Sequence, residues 1–99
     1  MSIKLSPFQQ RVFDVLNDKP NTDLPITDLW VLAYPEVAQR LYVAWESHGQ
    51  QGECYPPVRD MQQELGPLFA RINQKLTKCR IVPGEIKQTY RLDTINYRD

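Results

Sequence analysis

The residue types that carry covalent or acid–base chemistry are few in this chain and badly spaced for it. His48 is the single histidine, Cys54 and Cys79 are the two cysteines, and the carboxylates nearest His48 are Glu46 and Glu53. No nucleophile stands at a revealing spacing from that histidine, no Gly-rich run cradles a phosphate, and no metal-ligand cluster is present. The expectation is therefore no catalytic residue, no metal and no cofactor, with His48 a surface residue and both cysteines inert thiols. A different chemistry gathers further along the chain. Arg71, Asn73, Gln74 and Lys75 carry the donors and acceptors that read base edges in a major groove, where Arg donates twice to guanine and Asn or Gln pairs with adenine. Lys78, Arg80, Lys87 and Arg91 suit phosphates better.

The charge distribution agrees with that division. Twelve basic and twelve acidic residues cancel over the 99 positions, which argues against gripping a polyanion with the whole surface. Residues 1–56 carry four basic against seven acidic side chains, so 57–99 hold the compensating excess of three. Within 69–91, six cations face Glu85 alone. The bland account of that stretch is a solvated face and a charge-protected hairpin edge; the sharper one is a surface that meets phosphates.

The length suits one domain over 1–99, with 93–99 a partly ordered tail. No apolar run approaches the roughly 18 residues of a membrane span. The start, Met1 to Pro7, lacks the apolar core and cleavage site of a secretory signal, so a cytoplasmic protein is expected. Ser6-Pro7 is a helix opening, because Ser caps well and Pro at the first position loses only an amide without a partner. Phe8, Val12, Val15 and Leu16 then recur at helical spacing up to about Asn17. Pro25 sets either a short extended piece or the entry to a second helix rich in Leu29, Trp30, Leu32 and Ala33, and Pro35 breaks it after Tyr34. Val37, Leu41, Ala44 and Trp45 mark a third helix ending near His48, with Gly49 as its stop. Val58, Met61 and Leu65 read as a short helix interrupted at Gly66. Leu68, Ile72 and Leu76 form the stripe of another, over about 67–78. Cys79–Val82 and Ile86–Leu92 read as strands joined at Pro83-Gly84-Glu85.

Two helices meeting at a glycine, followed by a hairpin, give a mainly helical α+β chain in the element order of a winged helix-turn-helix. The segment Tyr55 to Gly66 resembles the first half of that motif in prokaryotic winged-helix transcriptional regulators. The run Leu5 to Leu16 resembles the opening helix of the DNA-binding domain of the SOS-response repressor. With the hairpin, these patches span about half the chain. The resemblance implies a DNA-reading helix over 67–78, a wing over 79–92 and double-stranded DNA as partner in the regulation of transcription; with no ligand or protease domain in so short a chain, operator occupancy is the expected mechanism, in the manner of a small phage or mobile-element protein. The segment 26–53 is an insertion relative to the minimal motif, and its Trp30, Tyr34, Tyr42 and Trp45 are candidates for sealing the core or for a homodimer interface. The runner-up expectation is an interaction module of the same fold that docks on the transcription or replication machinery. The zero net charge and the apolar Pro67-Leu68-Phe69 favour it.

Overall fold

Helix α1 (Pro7–Asp18) begins with a reciprocal cap: the Gln9 amide donates to Ser6 Oγ and the Ser6 amide donates to Gln9 Oε1, both at 3.1 Å. The rest of the computed structural model, which describes residues 4–95, is α+β and about half helical. A two-residue strand β1 (Leu24–Pro25) leads directly into α2 (Ile26–Ala33), so Pro25 serves both as extended residue and as helix entry. α3 (Pro35–Ser47) follows across the Tyr34 break, then α4 (Val58–Asn73), β2 (Arg80–Pro83) and β3 (Thr89–Asp93). The strands form one antiparallel sheet in the order β1-β3-β2, with Leu24 opposite Tyr90 and Ile81 opposite Leu92.

The core lies where one stripe of each of α1, α2 and α4 meets the inner face of this sheet. Val12 and Leu16 enter from α1, and Ile26, Leu29, Trp30 and Ala33 from α2. Met61, Leu65, Leu68, Phe69 and Ile72 enter from α4, and Ile81 and Leu92 from the hairpin. α2 is thus a main wall of the core, while α3 and the loop after it bury far less, although the whole of 26–53 was expected to be peripheral to the motif. The four buried side chains of α2 explain the difference, since α3 buries Ala38 alone.

The expected corner at Gly66 is absent. α4 runs unbroken from Val58 to Asn73, with Gly66 in an ordinary helical turn and Pro67 inside the helix. Mid-helix Gly and Pro cost about 1 and 3 kcal/mol relative to Ala. Five buried side chains on one stripe, at roughly 1.5–3 kcal/mol each, outweigh that penalty. Pro67 is exposed, so its missing amide leaves the Gln63 carbonyl facing solvent rather than the core. The second helix expected over 67–78 accordingly does not exist as a separate rod, and residues 74–78 lie beyond the helix end.

A measurement distinguishes the two geometries. A Cβ added at Gly66 meets nothing within 4 Å, so Gly66→Ala should stabilise the protein by about 0.5–1 kcal/mol in chemical denaturation. A glycine needed for a tight corner would give a loss instead.

The hairpin is shorter at its second strand than the alternation implies. Ile86, Lys87 and Gln88 belong to the connecting loop, because Gln88 takes a left-handed backbone, φ +61, and its carbonyl accepts from the Ile26 amide at 2.9 Å. Of the tail expected over 93–99, Asp93 ends β3 and Thr94 is bound to Asn21, whose amide group both accepts from the Thr94 N–H (3.0 Å) and donates to its hydroxyl (2.8 Å). Residues 96–99 lie outside the described residues, as do Met1, Ser2 and Ile3.

Candidate functional site

The continuous α4 presents a single outer face. With Met61, Leu65, Leu68, Phe69 and Ile72 turned inward, the 100° step per residue places Arg59, Gln63, Pro67, Ala70 and Gln74 opposite them, and all five are exposed. Arg71 is exposed on one flank of this face, while Asn73 on the other turns toward the hairpin. The hairpin is fixed beside the helix by that residue. The Ile81 amide donates to Asn73 Oδ1 at 2.7 Å, and Asn73 Nδ2 donates to the Ile81 carbonyl at 2.9 Å. β2 is an edge strand, so the Asn73 amide pairs its free side much as another strand would.

The eight residues expected to touch DNA therefore separate into two groups. Arg71, Gln74, Lys75, Lys78, Arg80 and Lys87 are exposed on α4, the turn after it and the hairpin. Lys75 Nζ donates to Gln9 Oε1 at 2.8 Å, an exposed bond that ties the turn to the start of α1. Asn73 and Arg91 are committed elsewhere. A base contact by Asn73 would cost both of its bonds to Ile81. Arg91 lies 3.7 Å from Asp23 Oδ1 and 3.8 Å from Glu85 Oε1, with its side chain only 25% exposed. Asp23 also accepts from the Ile86 amide at 3.1 Å, so Arg91 and Asp23 together brace the loop between β2 and β3.

Two further polar residues belong to this surface. Arg59 and Gln63 share the outer face of α4 with Gln74, but a break at Gly66 assigns them to a different helix. The unbroken spacing of positions 58, 61, 65, 68 and 72 is the signal that places them. Arg59 lies 3.8 Å from Asp60, a solvent-exposed pair that leaves its guanidinium accessible. Across 59–91 the surface holds seven basic against three acidic residues.

The four aromatic side chains considered for an interface also part company. Trp30 is 2% exposed, donates from Nε1 to Glu64 Oε2 at 3.0 Å, and packs near Tyr34 and Tyr55, so it belongs to the core and not to a surface. Tyr34 is half-buried against Phe8. Trp45 is tied by Nε1 to the Gly52 carbonyl at 2.9 Å, with Tyr42 tilted against it and more exposed.

The chemistry of the surface is that of donors and charge. Burial pushes the Tyr34 and Tyr55 hydroxyls and the Cys79 thiol above their ordinary values, and a hydrogen bond to Glu46 does the same for Tyr42. None of these four is driven toward the ionised form a nucleophile needs. Among the described residues, no group of three or more His, Cys, Asp or Glu is placed to hold a metal ion, and no helix is long and apolar enough to cross a membrane. No family model, curated protein or solved structure matches the chain. What the surface can do must be read from its geometry alone.

Proposed function

We propose that the chain is a winged-helix module that binds double-stranded DNA and regulates transcription by occupying an operator. The observation that carries this reading is the order of elements: helix, short strand, three helices of which the last is the longest, and a two-stranded hairpin, with β1 beside β3 and α4 against the hairpin. In that assignment α2 and α4 are the two helices of the motif, and α3 with the loop after it fills the connection between them. α4 is then the helix that enters the major groove, and residues 84–88 are the wing.

The available side chains fit the two kinds of contact. Arg71, Gln63 and Gln74 carry base-reading groups, and Arg59 sits at the start of the same face. Lys75, Lys78, Arg80 and Lys87 supply point charges for phosphates on either side of a groove. If four phosphates are neutralised, the logarithm of the binding constant falls with the logarithm of salt at a slope of about −4.

The test is fluorescence anisotropy with a random-sequence duplex at low and moderate salt. Binding should weaken along that slope, and Arg71→Ala combined with Lys75→Ala should reduce affinity about tenfold or more and flatten the slope by about 1–2. Silence toward any duplex at low salt would sink the proposal and leave the protein-docking module in its place. For a protein that binds, selection from genomic fragments then yields the operator.

A further inference from the structure

On the side of α2 turned away from α4, the structure holds a cleft of about 490 Å³ lined by α1, β1 and α2. Its apolar lining is Val15, Leu24, Leu29 and Leu32, and its rim carries Asp14, Asp18 and Asp28 with Lys19 as the one cation. Leu32 is 45% exposed, an unusual position for a leucine flanked on its own helix by Leu29 and Ala33, which are buried. The helical step puts Asp28 and Leu32 about 200° from Trp30, the residue bound to Glu64 of α4. The cleft and the outer face of α4 are thereby separate surfaces.

Two of the three rim carboxylates are placed against the interest of the isolated fold, whereas Asp28, in the first turn of α2, suits its helix dipole. Asp14 and Asp18 stand one turn apart near the C-terminal end of α1, where the helix dipole is already negative and the last turn contains no basic residue. Gln10 Nε2 donates to Asp14 at 2.7 Å, which leaves its charge uncompensated. A cationic partner would relieve this repulsion, and an apolar anchor would cover Leu32 and its neighbours. We propose that this cleft docks a partner protein through a short amphipathic segment that presents leucine-like side chains flanked by lysine or arginine. The inference does not depend on the DNA reading, since the cleft shares no residue with the α4 and hairpin surface. Its size is that of sites that enclose a few side chains.

The experiment uses the full chain, ¹⁵N-labelled, titrated with a synthetic three-turn amphipathic peptide of leucine and lysine at helical spacing, and in parallel with the same peptide carrying glutamate for lysine. Binding of the lysine peptide should move the amides of Val15, Leu24, Asp28 and Leu32 and leave those of Gln63 and Gln74 in place. Asp14→Asn with Asp28→Asn should weaken it about fivefold, and Leu32→Ser by a similar factor. The rim carboxylates and Leu32 are exposed, so these variants retain the fold, and an unchanged spectrum outside the cleft verifies it. Arg71→Ala with Lys75→Ala, which tests the DNA surface, should leave peptide affinity unchanged. No shifts at millimolar peptide would overturn the proposal. So would equal binding of the glutamate peptide, or shifts centred on α3 or α4.

Discussion

Replacing Gly84 with valine should lower the stability of the protein by about 3 kcal/mol, a fall in midpoint temperature on the order of 15 °C. The reason is space and not backbone conformation: Gly84 is not in the left-handed region, but a Cβ there would run into the Thr89 hydroxyl and the carboxyl group of Asp23. Neither neighbour is free to move. The Thr89 hydroxyl donates to the Ile86 carbonyl at 2.6 Å, and Asp23 accepts from the Ile86 amide while it faces Arg91. Making room breaks one or both attachments and leaves Asp23, whose side chain is 12% exposed, with a poorly compensated charge. Even Gly84→Ala should be clearly destabilising, in contrast with the gain expected at Gly66. Thermal denaturation followed by circular dichroism checks both, and a Gly84→Val protein that melts like the original would show that the loop is not braced in this way.

Asn73→Ala comes next, at about 2–3 kcal/mol. The substitution removes two hydrogen bonds and leaves the N–H and C=O of buried Ile81 without their partner on the edge of the sheet. Asn73→Asp keeps the acceptor for the Ile81 amide but loses the donor, so it should fall between the two. The neighbouring Gln74→Ala, at an exposed position, should change stability by no more than a few tenths of a kcal/mol. Urea denaturation with the slope compared between variants gives these differences directly. If Asn73→Ala unfolds like Gln74→Ala, the amide contributes nothing to the hairpin and is free for another role. Under the proposed function the two positions trade effects: loss of Gln74 costs DNA affinity at unchanged stability, and loss of Asn73 costs stability first.

The reassignment of Asn73 shows where sequence reasoning stops. Its type and its place near the end of an amphipathic helix are equally suited to a base contact and to a backbone cap. Only the return of the chain at Ile81, eight residues later, decides between them. Arg91 is similar, because the carboxylate that faces it, Asp23, lies near the opposite end of the sequence and is brought there by the pairing of β1 with β3. Gly66 lies inside α4 for another reason. Glycine followed by proline is a strong local break signal, yet the apolar spacing runs unbroken through it. Summed burial along a stripe of five side chains prevailed over the preference of two residues.

By itself the sequence determined what depends on neighbours a few positions apart. The capped start of α1, the breaks at Pro25 and Pro35, the end of α3 near His48, the presence of a C-terminal hairpin and the basic excess of the last third all follow from residue type and spacing. The tertiary structure alone decided that α2 is core, that α4 is one rod, that Trp30 is hidden, and which cations are left for a ligand. Those outcomes hang on side chains tens of residues apart competing for the same buried volume and the same hydrogen-bonding partners, and no local pattern records which of them wins.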